Sequence, residues 1–271
     1  MVEWSALGDG PLRACRVRWD VPLSPARFVR RLNRFAALVE VEGRLARAHV
    51  PNSGRLGELL VPGNRVWLVP GRGVGRSTAW DLLLAAYPAE VSGPGAWRGT
   101  PPALAPFEGG GATLVSVDAR LPTRLVARAL AAGALPELRG YEEVVAEPRV
   151  DGGRLDFLLR GGGGRCLVEV KSVTLRDEAG LGRFPDAPTA RGARHVEALR
   201  RAVESGTRGV VLFVVQREDV VGFRPHDGAD PAFGRELRRA AATGVEVVAR
   251  RCRVTMEGIT LAERVPVDLT P

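Results

Sequence analysis

Residues 92–112, SGPGAWRGTPPALAPFEGGGA, are rich in Gly, Pro and Ala and carry no period that a helix or strand could use. They separate two stretches of different hydrophobic rhythm, and 271 residues is a length that suits two modest domains. Before the break, 35–41, 44–50 and 65–69 read as short strands punctuated by glycines at 43, 54, 57 and 63, the pattern of a small β-barrel or sandwich. GRGVGRS at 71–77 reads as a mobile basic loop, and 80–87 as an apolar element that leaves the barrel. After the break the period lengthens: a helix over 123–135, strands at 141–150, 154–159 and 166–175, a helix near 189–204, a buried strand at 209–216, a helix near 231–243 and a strand at 245–254. The order αβββαβαβ implies a mixed sheet with helices on its faces, an α/β (α+β) class. The expected division is therefore 1–90 with a short N-terminal extension, a linker or insertion at 91–112, and 113–271.

No uninterrupted apolar run reaches the roughly eighteen residues that a membrane helix needs. Cys15, Cys166 and Cys252 are far apart and odd in number, which fits neither a disulfide framework nor a zinc knuckle and points to a reducing, cytoplasmic setting. The formal net charge of +8 points to a polyanionic partner, nucleic acid first. Between positions 13 and 34 there are seven arginines against one acid, Asp20, so the excess is concentrated as a binding surface would be. Of the 39 basic residues only Lys171 is lysine. Where arginine serves every generic purpose, that position asks for what arginine lacks: a compact ammonium on a flexible stem.

Strand alternation places Leu167, Glu169 and Lys171 on one face and Cys166, Val168 and Val170 on the other. The preceding strand is joined to this one by glycines 161–164, a hairpin length. With Arg160 facing Arg165, the register runs back to set Asp156 opposite Glu169. Carboxylates facing one another across a ladder repel, and such a pair makes sense with a cation between them. A hard ion such as Mg²⁺ or Mn²⁺ would take one or two carboxylates and complete its shell with water and phosphate oxygens. Lys171, on the same face, would orient or deprotonate water or offset charge developing on phosphorus. A plain Glu169–Lys171 ion pair and a turn-forming Asp156 are the alternatives.

Asp156, twelve residues, then Glu169-Val-Lys171 resembles the signature of the PD-(D/E)xK nuclease superfamily. Longer blocks resemble the sugar fermentation stimulation protein family: HVPNSG at 49–54, ELRGY at 137–141, RLDFLL at 154–159, CLVEVKSVTL at 166–175, FPDAPTARGARHVEAL at 184–199 and GVEVVAR at 244–250. The resemblance implies an N-terminal OB-like barrel followed by a restriction-endonuclease-like domain, DNA binding without strong sequence preference, and a regulatory role in sugar (maltose) metabolism. The chain departs from the family pattern at Arg128, where the first helix tends to carry an acid near the site, and at the apparent insertion 92–112. Glu147 or Glu143, from the neighbouring strand, is then the candidate for a further metal position.

Around this core, Arg191, Arg194 and His195 lie beside the apolar stripe Val196, Leu199 and Val203 and are placed to meet phosphates, or form a solvated basic face. Gln216 ends the buried strand, either at the site edge or as a satisfied strand-end amide. In the first domain Arg30, Arg31 and Arg34 with Trp67 and Phe35 have the makings of a basic face with stacking platforms for single strands. The apolar neighbours of both rings favour barrel core instead. Asn52 in Pro51-Asn-Ser-Gly is read as a turn residue before a ligand contact. Three functions compete: a metal-dependent DNA nuclease, favoured by the intact triad; a DNA-binding regulator that does not cut, favoured by Arg128; and a sugar-metabolism protein with incidental charge, for which no residue speaks. DNA, single- or double-stranded, is the expected partner, no membrane is, and a homodimer is left open.

Overall fold

A computed structural model describes residues 15–73, 75–87, 112–151, 153–162 and 164–271; the stretch 92–111 and Arg13 lie outside them. A short strand, β1 (Arg16–Arg18), precedes six strands of a single sheet: β2 (Ser24–Asn33), β3 (Ala36–Val41), β4 (Arg44–His49), β5 (Arg65–Pro70), β6 (Trp80–Tyr87) and β7 (Thr113–Ser116). The order is β4-β3-β2-β5-β6-β7, and β4 also pairs in parallel with β6, which closes β2 to β6 into a five-stranded, OB-like barrel. Closure depends on β2. Bulges at Phe28/Arg30 and Arg31/Asn33 bend it, so that its first half pairs with β5 while its length serves β3. The β3–β4 hairpin turns on Glu42 and Gly43, both with positive φ (51° and 71°), the twist a two-residue hairpin requires. Ala26, Phe28, Val39, Val66, Leu68 and Leu82 fill the interior.

The second half contributes α1 (Leu121–Ala131), β8 (Glu143–Ala146), the small hairpin β9 (Arg149–Val150) and β10 (Gly153–Arg154), then β11 (Phe157–Gly161) and β12 (Gly164–Val173). There follow β13 (Leu175–Arg176), β14 (Leu181–Phe184), α2 (Ala190–Glu204), β15 (Arg208–Val215), β16 (Gly222–Pro225), α3 (Pro231–Ala242), β17 (Glu246–Thr255) and β18 (Gly258–Val265). The main sheet runs β1-β18-β17-β15-β12-β11-β8, with β12, β15 and β17 parallel and the rest antiparallel. One face packs on α1 through Leu125, Val126, Val168, Val170 and Leu212; the other carries α2 and α3 through Val196, Leu199, Phe213, Phe233 and Leu237. Both helices on that face are capped by side chains: Thr189 accepts from the Gly192 N–H and Asp230 from the Phe233 N–H.

Several expectations are corrected. Residues 80–87 do not leave the barrel; as β6 they close it. The strand expected at 141–150 stops at Ala146, because Glu147 adopts φ 49° and turns the chain out of the sheet. The first helix begins and ends earlier than 123–135, with Pro122 in its first turn. Sheet membership also cuts across the expected division: β1 pairs with β18 in the C-terminal sheet, and β7, beyond the linker, pairs with β6 in the barrel sheet. Arg76, within the loop expected to be mobile, ion-pairs with Asp81. The arginine-rich N-terminal stretch is split in consequence, Arg16 and Arg18 lying on the large sheet and Arg27 to Arg34 on the barrel.

Candidate active site

β12 is buried along most of its length, so any charge on it needs a local reason. Cys166, Val168 and Val170 face α1, whereas Leu167 faces α2, and Glu169 and Lys171 share its side. They are 4% and 8% exposed. Arg160 pairs with Arg165 and Phe157 with Val168, so Asp156 stands one position before the start of β11, at the register expected opposite Glu169. There its Oδ2 accepts from the Val170 N–H at 2.7 Å. Across the face, α2 supplies His195, whose Nδ1 lies 2.6 Å from Glu169 Oε1; Lys171 Nζ donates to the same oxygen, also at 2.6 Å. Glu169 Oε2, equally buried, has no partner. These groups open onto a cleft of about 360 Å³, also lined by Ala119, Thr123, Glu147, Arg154 and Arg191.

The two carboxyls are driven apart. Burial, then the nearby Glu169 charge, pushes Asp156 up to about 6. Burial acts on Glu169 in the same direction, but the His195 hydrogen bond and the Lys171 ammonium outweigh it and hold the carboxyl below its usual range. The result is one firmly ionised carboxylate beside one that gains from a neighbouring cation. A metal ion is a cation that would serve. Among the described residues no cluster of three or more His, Cys, Asp and Glu side chains suits a metal. Two carboxylates with room for water are nonetheless a donor set that Mg²⁺ or Mn²⁺ accepts, and the orphaned Glu169 Oε2 fits such an ion.

The other expected residues divide. Arg191 lines the cleft and donates through Nε to His195 Nε2 at 3.3 Å; Arg194 is exposed and does not line it. Glu147 lines the cleft but is exposed and ion-paired with Arg154. Glu143 is paired with Arg160 on the edge strand and is not among the lining residues. Gln216 does not reach the site: wholly buried, its Oε1 accepts from Ser116 Oγ and its Nε2 donates to Ser172 Oγ, both at 2.9 Å, fastening β7 to β12. Arg128 donates to the Arg16 carbonyl, on the β1 side of its helix. Ala119, just before that helix, and Thr123, in its first turn, line the cleft, and position 128 does not.

On the barrel, Trp67 is 2% exposed and packs in the core shared with α1, where no base can reach it. Phe35 is 48% exposed, contrary to the core reading. Arg31 is committed to the carbonyls of Asn52, Gly54 and Arg55. Asn52 makes a turn, its Oδ1 accepting from the Gly54 N–H, and donates to the Val117 carbonyl at 3.0 Å. Arg30, Arg34 and Phe35 are left exposed. Arg154, not singled out from sequence, lines the cleft; it lies two residues before Asp156, a spacing that could have marked it.

An OB-like barrel joined to a curled mixed sheet, with two carboxylates and a lysine gathered at one cleft, defines a two-part α/β protein with a polar, charged site. Two family descriptions match it, the sugar fermentation stimulation protein RE domain over residues 120–258 and the SfsA N-terminal OB domain over 29–93. The chain belongs to the sugar fermentation stimulation protein family. Relatives bearing the name sugar fermentation stimulation protein homolog include one from Desulforamulus reducens, 41% identical over 91% of this chain and 93% of its own, and one from Symbiobacterium thermophilum, 42% identical over 97% and 98%. Among solved structures, Pyrococcus furiosus SfsA in complex with Ca²⁺ is similar with a TM-score of 0.77 and 30% identity, covering 93% of this chain and 98% of that one. Among the described residues no helix is long and apolar enough to cross a membrane.

Proposed function

We propose that this protein cleaves phosphodiester bonds in DNA with a divalent metal ion, Mg²⁺ or Mn²⁺, held by Asp156 and Glu169. The observation that carries the proposal is the unpartnered, buried Glu169 Oε2 beside Asp156 and the chain's single lysine. The metal, when bound, would supply Lewis acidity and an activated water. Asp156 and Glu169 would present one oxygen each. Lys171 Nζ, anchored to Glu169 Oε1, would hold the attacking water or offset charge on the phosphate oxygens. Arg191 and Arg154, at the cleft wall, would bind phosphates either side of the reacting bond, and Arg30 and Arg34 with exposed Phe35 would hold the strand on the barrel. Contacts of that kind recognise backbone, which fits weak sequence preference. The Ca²⁺ in the complex of the P. furiosus relative is a hard, oxygen-seeking ion of the same class.

A second reading, a DNA-binding regulator of sugar metabolism that does not cut, is supported by the absence, among the described residues, of three clustered metal-ligating side chains and by the tight Lys171–Glu169 pair. Supercoiled plasmid incubated with the protein in Mg²⁺, Mn²⁺ or chelator separates the two. The nuclease reading expects metal-dependent nicking that chelator abolishes and that Asp156→Asn reduces by about 10²-fold or more. DNA binding without nicking in any metal favours the regulator, and equal nicking by wild type and Asp156→Asn refutes the site.

A further inference from the structure

Both ring nitrogens of His195 are committed. Nδ1 lies 2.6 Å from Glu169 Oε1, and Nε2 lies 3.3 Å from Arg191 Nε, one helical turn earlier on α2. A guanidinium can only donate, so Nε2 must accept, and the ring proton therefore sits on Nδ1, aimed at Glu169. His195 is 8% exposed and Glu169 4%, so neither side chain is free to swing into water. Lys171 Nζ takes the same oxygen, leaving Oε2 alone without a partner. We infer that His195 is a positioning residue: in one tautomer, set by Arg191, it fixes the rotation of the Glu169 carboxylate so that Oε1 is taken by protein donors and Oε2 is left as the metal-binding oxygen.

The inference rests on the metal-dependent reading above and deepens it. A carboxylate on a long side chain can rotate about its last bond, and each rotation exchanges the two oxygens. Two donors converging on Oε1 remove that freedom before a metal arrives, which lowers the cost of ordering on binding. Arg191 acquires a double role, since its Nε sets the tautomer while its remaining nitrogens are left for the cleft.

The test separates a hydrogen-bond role from mere packing. An asparagine side-chain amide can place its nitrogen where the ring Nδ1 sits, whereas a glutamine amide falls near the Nε2 position. Mn²⁺ binding to the full chain, measured by calorimetry, is expected to stay within about threefold of wild type for His195→Asn and to weaken by about 10–100-fold for His195→Gln and His195→Ala. Independently of metal, nitrogen-15 NMR of the three imidazoles, with the His195 signal assigned by its loss in His195→Asn, is expected to show the ring proton on Nδ1 and an accepting Nε2. That preference should fade in Arg191→Leu. Asparagine and glutamine variants that bind Mn²⁺ equally well, or a wild-type ring protonated at Nε2, would overturn the positioning role while leaving the metal site standing. A wild-type protein that binds no Mn²⁺ would overturn the metal reading and this inference with it.

Discussion

Arg217 is the most consequential buried charge outside the cleft, and replacing it tests how the two halves are held together. Its side chain is 0% exposed. Nε and Nη2 donate to the two oxygens of Asp219 at 2.6 and 2.8 Å, Nη1 donates to Glu58 at 2.7 Å and to the Thr174 carbonyl at 3.0 Å, and the guanidinium lies 4.2 Å from the centre of the Tyr87 ring. Glu58 and Tyr87 belong to the barrel half, the other partners to the C-terminal half. The pair is not equally favourable to both partners: burial keeps the Glu58 carboxyl above its usual range despite the guanidinium, whereas burial of Arg217 is outweighed by the Asp219 fork, which raises it. Arg217→Ala takes the guanidinium away from two part-buried acids, which keep contacts to Arg176, and from the Thr174 carbonyl. Breaking a buried pair costs about 3–5 kcal/mol, and the lost carbonyl and ring contacts set the expectation at the upper end, about 5 kcal/mol. With an unfolding entropy of about 2.1 cal/mol/K per residue, a chain of this length loses about 9 °C in Tm. Arg217→Lys, which keeps the charge but not the fork, should lie between. The sign of the pH effect follows from Glu58. A carboxyl raised in the folded state favours folding when protonated, so the penalty of Arg217→Ala is full above the folded-state value and relieved as pH falls through it. Calorimetric melts at two pH values for wild type, Arg217→Ala, Arg217→Lys and Arg217→Ala/Glu58→Gln check the reasoning, the last variant recovering part of the loss. An Arg217→Ala protein that melts within about 2 °C of wild type would show that the network is worth no more than an exposed ion pair.

Lys171→Arg should abolish Mn²⁺-dependent nicking while DNA affinity, measured by fluorescence anisotropy, stays within a few-fold, because the planar guanidinium cannot sit where Nζ meets Glu169; nicking at the wild-type rate would sink the assignment. Phe35→Ala should weaken single-stranded DNA binding by about 1–3 kcal/mol, whereas Trp67→Ala should lower Tm by removing core rather than by removing a stacking ring; folded Trp67→Ala with wild-type stability and lost affinity would reverse the two roles. Glu137, 6% exposed and forked by Arg250 at 2.7 and 2.8 Å, is raised by burial but held below its usual range by that arginine. Its stabilisation is present above the unfolded value of about 4.3 and lost as pH falls through the lower folded one, so the stability gap between wild type and Glu137→Gln should narrow on acidification; a gap that widens would contradict the depressed value.

What sequence made legible was local. Two charges alternating inside an apolar strand, a four-glycine hairpin and a lysine in an arginine chain were enough to bring Asp156, Glu169 and Lys171 to one face, because strand period and hairpin length fix those relations within a few residues. The helical stripe likewise placed Arg191 and His195 on α2. Pairings between distant segments left no comparable trace. Nothing in Trp80–Tyr87 announces that it will meet β4 in parallel, and β1 and β18 pair across most of the chain. Trp67 looks the same in sequence whether it faces the barrel interior or a neighbouring helix. Arg31 read as part of a strand-binding face and Arg128 as a departure beside the site, because a guanidinium spent on carbonyl oxygens has no sequence signature.

The pairings that sequence concealed also explain why the cleft has the walls it has. Trp67, Leu83, Leu84 and Leu114, on the barrel sheet, share one core with Leu121 and Leu125 of α1 and with Val168 and Val170 of β12. The backbone reinforces that union: the Ser116 N–H donates to the Gln216 carbonyl, the Gln216 N–H to the Val173 carbonyl, and the carboxylate of Asp186 accepts from the N–H groups of Arg55 and Leu56. Ala119 and Thr123, which close the cleft opposite α2, lie on the segment that leaves β7, so their position depends on the barrel to which β7 is bonded. A barrel cut away at the linker would expose its shared apolar face, and a C-terminal half alone would lose both β1 from the edge of its sheet and one wall of its cleft. The two halves are therefore not separable modules here. The barrel that would hold the strand also sets the shape of the place where it would be cut.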